Sequence, residues 1–237
     1  MKLIALDSSG LTASVAVMED DILAAEYTIQ YKKTHSQTLL PMLAEVRNMI
    51  ELDLQEVDAV AVASGPGSFT GLRIGSATAK GLSFAMGKPI VAVPTADGLA
   101  YNLYGTDKVV CPIMDARRSQ VYTGIYEFLF QEDKYCLNII KRQCAAAFDE
   151  IAQELNALGR EVIFLGDGVP VFRERMKEIM KVRYTLAPAH MNRQRAASIG
   201  ALGSLYYAQG RTVSGEAFVP EYLRLSQAER EKSGKLI

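Results

Sequence analysis

Tryptophan is absent from the 237 residues, and histidine and cysteine are rare, with two and three residues respectively. The histidines, His35 and His190, lie far apart and lack the spacing of zinc or iron ligands, so no metal site built on histidine is expected. We interpret both as surface or capping residues. The cysteines follow no metal-binding or redox spacing and indicate ordinary thiols in a reducing compartment.

A basic excess and a long apolar run are also missing. Lys and Arg total 26 against 27 Asp and Glu, which gives a net charge of -1. Because neutralisation of phosphates drives binding to nucleic acids, we expect any contact with RNA to be indirect, through another subunit. No stretch approaches the ~20 apolar residues of a membrane-spanning helix. The short apolar run at the N-terminus is interrupted by Asp7 and is not typical of a signal peptide. The sequence therefore predicts a cytoplasmic protein without membrane contact.

The order of apolar patterns along the chain predicts an α/β fold with an internal repeat. In the first half, strands are predicted over 2–6, 12–18, 22–29, 59–63 and 90–93, and helices over 36–50, 69–86 and 95–104. In the second half, strands are predicted over 109–114, 120–128, 135–141 and 162–165, and helices over 148–158, 169–180 and 196–209. Two copies of this order indicate the ribonuclease H-like, actin-like (ASKHA) fold with two duplicated lobes.

The predicted organisation has three parts. Residues 1–105 form an N-terminal lobe, residues 106–195 form a second lobe, and residues 211–237 form a C-terminal tail. The sequence leaves open whether the last helix, at about 196–210, packs on the first lobe.

Two turns are candidates for binding phosphate. Asp7, Ser8 and Ser9 lie where the first strand turns into the second, and Gly65 and Gly67 lie in a turn between a buried strand and a helix. Backbone N–H groups and hydroxyls at such turns bind anions in many proteins. The alternative is a polar turn whose side chains bond their own backbone, with Ser68 or Thr70 capping the following helix. For the first helix, Ser36 or Thr38 is the expected cap.

The helix over 69–86 contains small residues in two neighbouring rows. One row is Gly71, Gly75 and Ala79, and the other is Ala77, Gly81 and Ala85. Because glycine costs roughly 0.5–1 kcal/mol relative to alanine inside a helix, these glycines indicate a close approach of another backbone. Either the protein's own sheet or a second protein chain could make that approach.

The first helix has more apolar residues than one stripe requires, and this favours an interface formed by both helices. A four-helix contact between two chains would use ridge-and-groove packing. A bulky residue at Gly75 is expected to break the association, whereas unfolding of the monomer would show that the glycines serve the core. The predicted interface residues are Leu39, Leu40, Leu43, Val46, Ile50, Gly71, Gly75 and Ala79.

Asp115, Arg117 and Arg118 lie at a predicted hairpin in the second lobe. They are compatible with holding an anion or with a solvated turn. The sequence contains no Ser–His–Asp or Cys–His set, no Walker-type loop and no paired-carboxylate constellation, so no catalytic residue is assigned.

Several segments together resemble the bacterial TsaB (YeaZ) family over nearly the whole chain. These are ALDSS near the start, GPGSFTGLRIGSATAKGL, PIVAVPTADGLA, DARRSQVY, the GDG turn and the tail residues Pro220-Glu221-Tyr222-Leu223-Arg224. The resemblance implies a non-catalytic subunit of tRNA threonylcarbamoyladenosine biosynthesis. The implied partners are a TsaD-type catalytic paralogue and a TsaE-type ATPase, with a homodimer when the chain is alone and with contact to tRNA only indirectly.

The catalytic paralogues carry an HxxxH metal motif that aligns with Thr95 and Leu99 of this chain. Leucine cannot bind a metal, and the region 192–198, where a carboxylate would complete that site, has no Asp or Glu. The resemblance therefore implies no metal and no cofactor of this chain's own, although a nucleotide at the interface of the complex stays open. Gln120 departs from the family pattern, in which many members have Glu. The alternative function is a small actin-like ATP-dependent enzyme or phosphotransferase, with Asp7, Ser9 and the Gly65–Gly67 turn at phosphate.

Overall fold

The structure, a computed structural model, describes residues 1–31 and 34–224. The end of the predicted tail, residues 225–237, lies outside the described residues. The first lobe begins with three antiparallel strands and continues through alternating helices and strands. Its elements are β1 (Lys2–Asp7), β2 (Ala13–Glu19), β3 (Ile22–Ile29), α1 (His35–Met49), β4 (Ala59–Ala63), α2 (Phe69–Met86), β5 (Ile90–Val93) and α3 (Thr95–Tyr101).

The second lobe follows the same order. Its elements are β6 (Val109–Asp115), β7 (Gln120–Gln131), β8 (Lys134–Ala147), α4 (Phe148–Leu158), β9 (Val162–Leu165), α5 (Gly168–Ile179) and β10 (Tyr184–Leu186), and α6 (Ala196–Ala208) comes last. The short strand β10 was not predicted from the sequence, because three residues are too few to show a period.

The two sheets have the same topology. The first has the strand order β3-β2-β1-β4-β5, and the second, read from its other edge, has the order β8-β7-β6-β9-β10. In each sheet the third position in this order pairs antiparallel on one side and parallel on the other. This repeated order is that of the ribonuclease H-like unit, so the predicted actin-like fold with two duplicated lobes is confirmed.

The ends of α2 follow from its sequence. The Ser68 hydroxyl accepts a hydrogen bond from the backbone N–H of Gly71 at the start, and Gly87 adopts a left-handed conformation, with φ of 65°, at the end. The sequence left open whether Ser68 or Thr70 caps this helix, and the structure has Ser68 there, a residue type favoured at the N-cap. The predicted end at residue 86 is confirmed, since the glycine that follows adopts positive φ without a steric cost. The predicted caps of α1 are wrong. Thr34 is its N-cap residue, without a side-chain bond to the helix, and Thr38 lies inside the helix with its hydroxyl near the Thr34 carbonyl.

The first sheet is covered on both faces. Alternate residues of its strands, such as Ile4 and Val60, pack under α1 and α2, whereas their neighbours Leu3 and Ala61 pack under α6. This alternation is the two-residue period of a strand. The last helix therefore returns to the first lobe after the chain has built the second.

The second sheet is covered by α4 and α5 on one face and by α3 on the other. Among the described helices, none is both long and apolar enough to span a membrane. After α6, Val213 pairs with Ile90 at the edge of the first sheet, and Phe218 is buried in the core under α1 and α2. The described part of the tail thus lies on the first lobe.

Candidate functional site

A cleft of about 670 Å³ lies between the lobes. The first lobe lines it with the β1–β2 loop, the start of α1 and the start of α2. The second lobe lines it with the β6–β7 turn and Asp167, and residues 221–224 of the tail lie at its mouth. Of the residues predicted to bind phosphate, Ser9 and Gly67 line the cleft, whereas Asp7, Ser8 and Gly65 are not among its lining residues.

The β1–β2 loop is bonded to itself. The Asp7 carboxylate accepts hydrogen bonds from the backbone N–H of Ser9 at 2.9 Å and from the Ser9 hydroxyl at 2.6 Å. Burial raises the pKa of Asp7 to about 6, against the effect of these two bonds and of nearby His35. The Ser8 hydroxyl donates to the Gly71 carbonyl at 2.9 Å and so points into α2. These donors are engaged within the chain, as in the alternative of a polar turn.

The turn at Gly65 and Gly67 is also closely packed. The N–H of Gly65 donates to the Thr95 hydroxyl at 3.1 Å, and any Cβ at Gly65 would overlap the Glu221 carbonyl. A Cβ at Gly67 would overlap the Ser9 carbonyl, which accepts the Ser68 N–H at 2.7 Å. Both glycines are explained by close approach of the chain's own backbone. Binding of phosphate at this turn stays a prediction.

Two carboxylates of the second lobe, those of Asp115 and Asp167, line the cleft near the β6–β7 turn. The backbone N–H of Asp115 donates to the Asp167 carboxylate at 3.2 Å, and burial raises the pKa of Asp167 despite that bond and nearby Arg193. Arg117 pairs with Asp115 at 3.3 Å, but its side chain is 87% exposed. Carboxylates facing a cleft disfavour a bound phosphate unless a cation intervenes. In residues 1–31 and 34–224, no group of three or more His, Cys, Asp or Glu side chains is arranged so that it could hold a metal cation.

The histidines lie in different environments. His35 begins α1, and its Nε2 lies 2.8 Å from the Gly10 carbonyl. Because a carbonyl only accepts, Nε2 carries the proton, and the side chain fixes the β1–β2 loop. His190 is exposed, as predicted.

Thr95 and Leu99, which the resemblance predicts to align with the metal-binding histidines of the catalytic paralogues, are both buried in this chain. The Thr95 hydroxyl accepts the Gly65 N–H, and Leu99 packs in the core between α3 and the second sheet. Their surroundings do not fit a metal ion, which needs ligands with free lone pairs.

A buried carboxylate between the lobes was not found by sequence reasoning. Asp97 on α3 accepts a hydrogen bond from the Tyr126 hydroxyl of β7 at 2.8 Å and a longer one from the Tyr206 hydroxyl of α6 at 3.4 Å. Burial raises the pKa of Asp97, while the two hydroxyls, Arg211 and Arg142 oppose that rise. The Asp97 cluster, residues 97, 126 and 206, ties three elements together.

The predicted interface residues divide into two sets. Most of them face inward. A Cβ at Gly75 would lie 2.5 Å from the Ser8 hydroxyl oxygen, and one at Gly71 would overlap the Ser8 carbonyl. That they contact another chain stays a prediction, and the β1–β2 loop and the sheet already occupy the side of α2 on which these glycines lie. The inward set is Leu39, Leu43, Val46, Gly71, Gly75 and Ala79, and Ile50 is half-buried against the same core.

The opposite side of the same two helices is exposed. On α1, Leu40 is 53% exposed, and on α2, Phe84 is 91% exposed. Apart from Gly81, its two chain neighbours and the nearby backbone of its own helix, no heavy atom of the described residues lies within 4 Å of the position that a Cβ at Gly81 would take. We call this side the outward helix face, formed by Leu40, Ala44, Arg73, Ala77, Gly81, Phe84 and Ala85. It includes the second row of small residues on α2, whose orientation the sequence left open.

Comparisons with known proteins agree with one another. Residues 23–232 match the family described as "TsaD: tRNA N6-adenosine threonylcarbamoyltransferase". The chain is 31% identical over 229 residues to the tRNA threonylcarbamoyladenosine biosynthesis protein TsaB of Bacillus subtilis, which covers 97% of this chain and 96% of that protein. It is 29% identical over 242 residues to the Escherichia coli protein of the same name, covering 99% and 100%. YeaZ from Pseudomonas aeruginosa superposes with a TM-score of 0.78 at 28% identity, over 94% of this chain and 99% of that one.

The fold and the cleft define an actin-like, two-lobed protein whose glycine-rich turns are packed against its own backbone. The chain belongs to the TsaB family of tRNA threonylcarbamoyladenosine biosynthesis proteins. The resemblance inferred from the sequence is confirmed.

Proposed function

We propose that this chain is a non-catalytic, cytoplasmic subunit required for transfer of threonylcarbamoyl to the adenosine next to the tRNA anticodon. It would form a heterodimer with a TsaD-type catalytic paralogue, act together with a TsaE-type ATPase, and form a homodimer when alone. Its contact with tRNA would be indirect. The outward helix face is the observation that carries this proposal.

Two properties of that face support a protein partner. Glycine inside a helix costs about 1 kcal/mol relative to alanine, and at Gly81 no neighbour among the described residues requires glycine. Phe84 lies one turn further along with its ring almost fully exposed. A small residue beside a large aromatic one is suited to close helix packing, and buried aromatic rings often dominate binding energies.

The state of the cleft supports the absence of catalysis by this chain. The hydroxyls of Ser8, Ser9 and Thr95 already take part in hydrogen bonds within the chain. A catalytic group needs a free lone pair or proton within reach of a substrate. The alternative, a small actin-like ATP-dependent enzyme or phosphotransferase, would require the β1–β2 loop to exchange these bonds for phosphate.

Truncation of Phe84 tests the outward helix face. Phe84→Ala should weaken binding of the TsaD-type paralogue about 30-fold, since loss of a central aromatic anchor typically costs ~2 kcal/mol or more. Phe130→Ala is the matched control, because Phe130 is 64% exposed on the other lobe. Calorimetric titration of each variant with the paralogue measures the two affinities. Equal affinities of the two variants would show that the interface lies elsewhere.

Reconstitution tests the function itself. With the paralogue, the TsaE-type ATPase, tRNA and substrates present, omission of this chain should abolish modification of the adenosine. Gly81→Leu should reduce modification although the isolated variant melts at no lower temperature than the wild type, since leucine favours a helix more than glycine does. Modification at the full rate without this chain would contradict the proposal. Rapid ATP turnover by the isolated chain would favour the alternative.

A further inference from the structure

Residues 218–224, which we call the strap, run from the core of the first lobe to the cleft, which residues 221–224 line. Phe218 is buried in the first-lobe core and anchors one end. The backbone N–H of Glu221 donates to the Ser64 carbonyl at 2.7 Å. The ring of Tyr222 packs on the ring of Phe69 with their centroids 5.0 Å apart. The strap is thus held against the end of β4 and the start of α2.

The same few residues also contact the second lobe. Gln143 of β8 donates from Nε2 to the Glu221 carboxylate at 2.6 Å. Arg224 donates to the Ala116 carbonyl in the β6–β7 turn. The strap therefore spans the cleft and bonds to both of its walls, so a change in the angle between the lobes must stretch or break these contacts.

A stacked series of side chains leads from the strap to the outward helix face. Tyr222 packs on Phe69, and the guanidinium carbon of Arg73 lies 4.1 Å from the centroid of the Phe69 ring. Arg73 is one turn along α2 and is exposed on the outward helix face. Cation–π contacts of this kind contribute about 0.5–1 kcal/mol at exposed sites. The position of the Phe69 ring is therefore shared between the strap and the proposed partner surface.

The strap has the properties of a segment that can dock and undock without unfolding the core. Between Val219 and Arg224 it has no helix or strand, and Tyr222 is 39% exposed. Its docking depends on a few hydrogen bonds and one ring contact. Segments with few buried contacts open locally at a small fraction of the global free energy of unfolding.

We propose that docking of the strap and association of a partner at the outward helix face favour each other, so that the strap transmits the relative position of the lobes to the partner-binding helices. This inference rests on the proposed function for the location of the partner. Thermodynamic linkage requires the effect to be reciprocal. A partner that orders the start of α2 stabilises the docked strap, and loosening the strap weakens the partner's binding by the same factor.

The absence of tryptophan from the chain allows a direct reporter. In Tyr222→Trp the new ring is the only tryptophan, placed against Phe69. Saturation with a TsaD-type paralogue that itself lacks tryptophan should lower the acrylamide quenching of this residue about threefold or more, because the ring docks more persistently. Unchanged quenching at saturation would overturn the inference.

Affinity measurements supply the reciprocal test. Tyr222→Ala should weaken binding of the paralogue roughly tenfold, and Arg224→Ala, which removes the bond to the Ala116 carbonyl in the second-lobe turn, roughly fivefold, within the usual range of coupling energies. Tyr222→Phe keeps the ring and should bind like the wild type. Val219→Ala, in the same segment with Val219 71% exposed, should also have no effect.

The outcomes separate the two proposals. If Phe84→Ala weakens the paralogue's binding and Tyr222→Ala and Arg224→Ala do not, the outward helix face stands and the strap coupling is wrong. If Phe84→Ala has no effect, the outward helix face is not the interface and the strap coupling loses its premise, whereas the proposed function is decided by the reconstitution. Thermal melting of every variant accompanies the titrations. If Tyr222→Ala melts at a lower temperature than the wild type, its affinity no longer reports on the strap alone. The affinity of Arg224→Ala and the tryptophan quenching of Tyr222→Trp then decide whether the strap and the partner are coupled.

Discussion

Alanine at position 71 should lower the free energy of unfolding, whereas alanine at position 81 on the same helix should raise it. A Cβ at Gly71 would overlap the Ser8 carbonyl, and the loop that carries Ser8 is bonded through Asp7 and cannot move freely. Overpacking of this kind costs ~1–3 kcal/mol, which exceeds the ~1 kcal/mol that alanine contributes by helix propensity. At Gly81 the space is open, so only the gain of about 1 kcal/mol remains.

Urea denaturation of the two variants measures this difference, since a shift of the midpoint at constant slope reports stability alone. The chemical change is the same in both, so helix propensity cancels in the comparison. If Gly71→Ala is as stable as Gly81→Ala, the β1–β2 loop yields at little cost and close packing does not explain the inward glycines. Gly75→Leu should be more destabilising than Gly71→Ala, because it adds a whole side chain beside the Ser8 hydroxyl.

Substitution of Asp97 should separate the hydrogen bonds of its cluster from its charge. Asp97→Ala leaves the buried Tyr126 hydroxyl without its acceptor, which should cost ~1–3 kcal/mol. Asp97→Asn can still accept from Tyr126 through Oδ1 and can donate from Nδ2 to the Tyr206 hydroxyl. The asparagine variant should therefore fold at least as stably as the wild type at neutral pH.

The difference in stability between the wild type and Asp97→Asn should also depend on pH. Burial raises the pKa of Asp97 above its ordinary value of 3.8, so the folded state holds the proton more tightly than the unfolded state does. Wild-type stability attributable to this group is then greatest below the ordinary value and falls as pH rises through the raised pKa. The side chain of the Asp97→Asn variant does not titrate. Thermal melting of both proteins from pH 4 to about pH 8 should show the stability of the wild type falling relative to that of the variant as pH rises. A stability difference that does not change with pH would contradict a raised pKa of Asp97.

The sequence predicted the elements of both lobes because their local signals agree with the tertiary structure. The helix over 69–86 was predicted with the ends that the structure has, since Ser68 and Gly87 are strong terminal signals and the apolar period is long. The strands β7 and β8 run further than predicted. In β7 the added residues, 129–131, are exposed, which leaves no alternating pattern to read. In β8 the added residues are mostly 142–147, which include three consecutive alanines, a residue type that is depleted in strands.

The side of α2 that packs against the sheet could not be predicted, although the unusual composition of the helix was recognised. Two rows of small residues lie on neighbouring sides of the helix, and the sequence does not say which one meets the sheet. The structure turns Gly71, Gly75 and Ala79 inward because the β1–β2 loop approaches them at backbone distance. Spacing along a helix fixes which residues share a face, whereas the direction of that face depends on the rest of the fold.

The Asp97 cluster and the strap were missed for a different reason. Asp97 lies in a short helix and is joined to residues 29 and 109 positions away, so no local pattern contains the cluster. The tail residues around Tyr222 were recognised only as a family resemblance. The available sequence signal was a single carboxylate between small and apolar residues, in Thr95-Ala96-Asp97-Gly98-Leu99. Such surroundings indicate burial, and a buried carboxylate requires hydrogen-bond partners.

The return of α6 to the first lobe means that the part of the protein that is synthesised first is completed last. Until Leu202 and Tyr206 have been made, the face of the first sheet that carries Leu3 and Ala61 has no cover. The whole second lobe, by contrast, lies in one continuous run of the chain and can close as soon as it is complete. Folding on the ribosome should therefore begin in the middle of the sequence, and a nascent chain stopped near residue 105 should present an apolar sheet face to chaperones.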